Sequence, residues 1–258
     1  MLIDTHAHLH TAQFESDREA VIERATAAGV TRIIEIGYDL PSSRAAIALA
    51  ERHQQIFAVV GIQPHYAAEA DQTWLAEIAE LARHPKVAAI GEIGLDYFHD
   101  RAPHAAQESL FRAQLTMAHQ LGLAVVIHSR DARDDTLRIL RDVTARTGQL
   151  GVMHSFSGDW AYAEACLACG FAISLSGPVT FAKAAELHDV ARRVPLDRML
   201  TETDSPYLAP HPLRGKRNEP ANVRLVAERI AALRDAPLDS VAAAVWQTAQ
   251  HFFRLPTH

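Results

Sequence analysis

Two imidazoles spaced two residues apart, His6 and His8, close a short apolar run at the start of the chain. Side chains two apart on a strand point to the same side, so such a pair aims both rings at one point. Neutral imidazole is the commonest nitrogen ligand of metals, and two together indicate a metal centre if other strands supply more ligands. They do. Glu92 lies in AIGEIGLDY, His128 stands near the end of VVIHS and His154 near the end of GVMHS, and Glu202 and Asp204 follow in LTETDSPY. A buried carboxylate in an apolar strand is costly unless it is paired or metal-bound. Five strands making that choice at the same end share one reason. Four histidines plus carboxylates exceed one tetrahedral metal with an open position. They suit two divalent cations about 4 Å apart with Glu92 as the bridging carboxylate. The mixed nitrogen and oxygen set fits Zn2+, Mn2+ or Mg2+ and argues against soft-metal or iron–sulfur sites.

The elements that must position these groups alternate regularly. Strand-like runs fall near 2–6, 32–37, 57–62, 87–94, 124–128, 151–156, 171–176 and 199–203. Helical patterns lie between them and continue after the last, near 219–233 and 238–253. Runs such as RIIEIG and FAVVGI are almost wholly apolar, as in a parallel sheet buried on both faces. Eight such alternations predict a TIM (β/α)8 barrel, whose active sites form at the C-terminal ends of the strands. A doubly wound open sheet is the competing fold, but no Gly-rich phosphate loop is present. The chain reads as one domain over 1–258, and the irregular stretch 205–220 reads as a functional loop.

Of the 258 residues 48% are hydrophobic and 22% charged, values of an ordinary globular protein. No apolar run has the roughly 18 residues of a membrane span, and no secretory signal precedes the first strand. With two cysteines, Cys166 and Cys169, a disulfide scaffold is excluded and a cytoplasmic setting expected; the pair sits in a helical pattern as small core residues. The net charge of -6 rules out a non-specific coat for duplex DNA, so contact with a nucleic acid must be local.

The strings DTHAH at 4–8, GIQPH at 61–65, IGEIGLDY at 90–97, HSFSG at 154–158, ETDSPY at 202–207 and RNEP at 217–220 resemble the TatD family of metal-dependent deoxyribonucleases. The resemblance implies a TIM barrel with up to two divalent metals, held by His6, His8, Glu92, His128, His154 and Asp204. It also implies DNA phosphodiester hydrolysis, often as a 3′-to-5′ exonuclease on single strands. The family often has His where Gln63 stands, and Gln takes up no proton at neutral pH. It also often has Cys in place of Ser155, a change that preserves size.

On this reading Asp204 serves as the base for the attacking water, alongside Glu92. Glu202 orients a ligand histidine from the same strand face. Gln63, His65 and Arg130 are expected to contact substrate, with Tyr97 and Phe156 stacking on bases. Arg214, Lys216 and Arg217 read as solvated charge or as partners of nearby carboxylates. A monomer is expected, with no membrane contact. Two other functions compete. A binuclear hydrolase of an amide, lactone or small phosphoester would use the same metals, but the matching strings extend beyond the ligands. A metal-binding protein that has lost catalysis would lack a ligand, and none is missing.

Overall fold

A computed structural model describes residues 1–256. Eight strands form one parallel sheet in sequence order: β1 (Leu2–Ala7), β2 (Val30–Ile36), β3 (Ile56–Val60), β4 (Val87–Asp96), β5 (Ala124–Arg130), β6 (Gly151–Met153), β7 (Phe171–Leu175) and β8 (Met199–Thr201). The sheet all but closes on itself, as the His8 amide donates to the Ser205 carbonyl (2.8 Å) and the Asp204 amide to the His6 carbonyl (2.8 Å). The fold is a TIM barrel with nearly every strand residue buried.

The helices cover its outside: α1 (Arg18–Ala27), α2 (Leu40–Arg52), α3 (Gln72–Leu81), α4 (His104–Leu121), α5 (Arg133–Thr147), α6 (Trp160–Ala168) and α7 (Ala185–Arg193) between strands, then α8 (Val223–Leu233) and α9 (Leu238–Phe253). Local chemistry sets several starts. Asp39 accepts from the Ser42 amide (2.8 Å) at the head of α2, and Asp71 and Asp159 cap α3 and α6 likewise, satisfying amides that have no helical partner. None of these helices is long and apolar enough to cross a membrane.

Each apolar run becomes a strand, but β6 and β8 stop after three residues, short of the expected Phe156 and Thr203. Just beyond them the His154 and Glu202 amides still reach the neighbouring strands, and then the ladder ends. Cys166 is buried on α6 and Cys169 partly so, both as free thiols.

Candidate metal centre

β1 delivers His6 and His8 to the barrel mouth, with His6 0% and His8 4% exposed. The His8 ring is fixed by its Nδ1–H, which donates to the Ile36 carbonyl at 3.0 Å. Its Nε2 lone pair therefore faces inward, where the His6 Nε2 stands only 3.2 Å away. Asp204 Oδ1 lies 3.5 Å from the His8 Nε2 and 3.7 Å from the His6 Nε2, and Glu92 Oε2 lies 3.8 Å from the latter. These four acceptor-type atoms converge, and the buried His6 Nδ1 has no partner of its own. A cation with ligand bonds of about 2.1 Å holds its ligands roughly 3.0–3.5 Å apart; the two imidazoles and Asp204 with His8 match that spacing, and the other carboxylate approaches lie a few tenths of an ångström beyond it.

Glu92 turns its other oxygen to a second group. Its Oε1 lies 2.8 Å from the His128 Nδ1 and 3.6 Å from the His154 Nε2. The opposite nitrogen of His128 donates to Asp96 Oδ2 at 3.1 Å, which leaves a lone pair on Nδ1 facing a carboxylate. That opposition is again relieved by a cation or a proton. His6, His8 and Glu92 form one candidate ligand group, and Glu92, His128 and His154 another. Glu92 belongs to both groups.

Without a cation the groups settle into proton sharing. Burial opposes charge on Glu92, but the His154, His128 and His6 imidazoles around it hold its carboxyl well below the usual range. Burial likewise opposes protonation of His154 and His128, yet Glu202 with Glu92 lifts His154 to about 10, and Asp96 with Glu92 lifts His128 to about 9. His6 is pushed well down by burial and by its neighbours His154 and His8.

Glu202 is fully buried beneath His154. Its Oε1 stands 2.8 Å from His154 Nδ1, outside good hydrogen-bond alignment, and accepts from the Ser155 amide at 2.6 Å; its Oε2 accepts from the Ser174 hydroxyl at 2.6 Å. Glu202 thus stands beside the histidine, but not on a strand face shared with Asp204. β8 ends at Thr201, and Asp204 reaches the centre through a left-handed backbone (φ 57°), which Asp tolerates better than most residues.

The substrate candidates divide. The Gln63 amide donates to Glu92 Oε1 at 3.4 Å, and His65 pairs with Asp96 at 2.8 Å; both border the centre. Arg130 is exposed at the mouth, its guanidinium 4.7 Å over the Phe98 ring. The two stacking assignments need correction. Tyr97 lays its ring on His104 (3.6 Å between centroids), packs against the core and donates its hydroxyl to Asp135. Phe156 is 4% exposed and tilted against Tyr162. Both rings are engaged by neighbouring side chains, and Phe156 borders the cavity at the centre with little of its surface exposed.

Three further residues support the centre without standing out in the sequence. Asp96, fully buried, gathers His65, His99 (2.7 Å) and His128 on one oxygen. Glu35 on β2 accepts from the Leu9 and His10 amides and pins the turn after His8. Asp4 accepts from the Thr203 amide and hydroxyl and locks β1 to the segment that follows β8. A spacing signal for Asp96 exists: Glu92, Gly94 and Asp96 alternate along β4.

A family model described as TatD related DNase matches residues 3–254. The uncharacterized metal-dependent hydrolase YabD of Bacillus subtilis is 43% identical over 255 residues, covering 99% of this chain and 100% of that protein. The 3'-5' ssDNA/RNA exonuclease TatD of Pantoea vagans is 35% identical over 98% of this chain and 100% of that one. Among solved structures, that of YjjV, a TatD homologue from Escherichia coli, superposes with a TM-score of 0.93 at 32% identity over 99% of this chain and 98% of that chain.

Proposed function

The chain belongs to the TatD-related DNase family of metal-dependent hydrolases, and on that premise we propose that it cleaves phosphodiester bonds of single-stranded DNA from the 3′ end. The observation that carries the reading is the convergence of His6, His8, Glu92, His128, His154 and Asp204, with Glu92 shared by both halves. The exonuclease name carried by the Pantoea relative supports the substrate class.

Two divalent cations, Mg2+, Mn2+ or Zn2+, would be held by those six residues and would supply a water nucleophilic at neutral pH and charge neutralisation at phosphorus. Asp204 is the base that takes the proton of the attacking water, since it borders the centre at the open mouth with 14% of its side chain exposed. Glu202 holds the His154 ring in register. Gln63 keeps the Glu92 carboxylate turned inward, where a histidine would bring a second titration. His65, braced by Asp96, and Arg130 meet the phosphate oxygens. The enzyme works as a monomer of one domain in the cytoplasm.

Release of nucleotide from 3′-labelled single-stranded DNA tests the reading. Chelator-stripped protein should regain release with one of Mg2+, Mn2+ or Zn2+, and a His6→Ala/Asp204→Asn variant should not. Protein that binds two cations yet releases nothing would overturn the nuclease reading and favour a small phosphoester, amide or lactone.

A further inference from the structure

The metal centre opens into a cavity of about 210 Å³ whose walls include Pro178, Asp204 and Leu208. On the far side of Pro178 lies a trough of about 460 Å³ between the segment after β7 and the segment after β8. It is lined by Phe181, Lys183, His211 and Arg214. We propose that this trough is the track for the 5′ portion of a single-stranded nucleic acid whose 3′ end lies at the metal centre. The proposal rests on the nuclease reading and deepens it.

Three observations carry it. The first is continuity, since Pro178 borders both hollows. The second is rigidity. Gly177 sits so close to the Leu208 carbonyl that no Cβ fits between them, and the His211 amide donates to the Thr180 hydroxyl at 2.8 Å. The two walls are thus tied together, and a preformed site orders few of its own groups on binding.

The third is unspent positive charge beside apolar surface. Two cations near the mouth are paired: Arg217 with Asp17 (2.7 Å), and Arg24 with Glu219 (2.7 Å). Lys183, Arg214 and Lys216 are exposed and have no acidic partner among the described residues. The Arg214 guanidinium lies 5.1 Å over the Phe181 ring, and Leu208 is 39% exposed between trough and centre. Cations beside an apolar, aromatic-edged shelf suit a strand that puts phosphates on the charges and bases on the shelf. On a chain of net charge -6 such a patch marks where a polyanion is received.

The test compares bis(p-nitrophenyl) phosphate, which reaches the metal centre alone, with oligothymidylates of increasing length. A Lys183→Gln/Arg214→Gln variant should raise KM roughly ten-fold for long oligomers, less for the dinucleotide, and flatten the log–log salt dependence by about 1.4. Lys183→Arg/Arg214→Lys should restore both. A KM and salt slope unchanged on long oligomers, or a defect of equal size at every length, overturns the track while leaving the nuclease reading in place. An unsubstituted enzyme that turns over bis(p-nitrophenyl) phosphate and no oligomer overturns both.

Discussion

Asp204 and Asn are the same size, but only the carboxylate can accept a proton and lend charge to a cation. Asp204→Asn should lower kcat by about 10²–10⁴ while the thermal melt of the chelated protein stays within about 1 kcal/mol of the parent; near-parental turnover would remove Asp204 from the base role. The two protonated imidazoles make a second prediction. Cations must displace the protons that Glu92 and its neighbours hold on His128 and His154 at pH 7.5, and against its burial Asp204 also raises His8, so loading should release about two protons or more, measured by calorimetry in buffers of different ionisation enthalpy. The sign for stability follows. Both pKa values, about 9 and about 10, exceed the unfolded value near 6.5. Their contribution is therefore complete below about pH 6.5 and is lost as pH rises through 9 to 10. The melt of chelated protein should fall across that window. A flat melt from pH 7 to 10 would mean these histidines are neutral. The residues that converge as candidate ligands were legible in the sequence, because an imidazole or carboxylate ending an apolar run is costly to bury unless something binds it. Tyr97 and Phe156 were not. An aromatic after a strand end carries no sign of which way it turns, and His104 and Tyr162, which claim the two rings, are set by how the next helix packs.

At the scale of elements, β4 and β5 carry Glu92 and His128 of the second group and approach each other at Gly94. That residue has φ 140°, and a Cβ there would collide with the His128 carbonyl. Gly94→Ala must push β5 outward and carry His128 from Glu92. We expect a cost of about 1–3 kcal/mol in chelated protein and loss of one equivalent of bound cation by native mass spectrometry; two retained equivalents would count against this account. Glu202→Gln keeps the shape but removes the anion beside His154, and should weaken cation affinity 10–100-fold. The strands were readable because they are buried on both faces, and their order because parallel strands need helical crossovers. Strand ends were less so. His154 and Glu202 still donate their amides to the neighbouring strands, to Ile127 and Leu175, so the ladder fades gradually where composition suggests a continuing run.

For the whole molecule, cation binding and barrel integrity are one equilibrium. Each cation at a hundred times its dissociation constant should add about 2.7 kcal/mol, so a chelator should lower the melting temperature and excess Mn2+ or Zn2+ should restore it. The seam between β1 and β8 sets the terms of that coupling. Thr203 meets Asp4, Asp204 meets His6, and Ser205 meets Ala7 and His8 across nearly two hundred residues of intervening chain. A ribosome that has made everything up to α7 has built His6, His8, Glu92, His128 and His154 but not Asp204, and nothing yet holds the first strand to the last. The proposed base therefore arrives with the element that shuts the barrel. On the proposed function, competence to cut is withheld from the growing chain until the molecule has joined its beginning to its end.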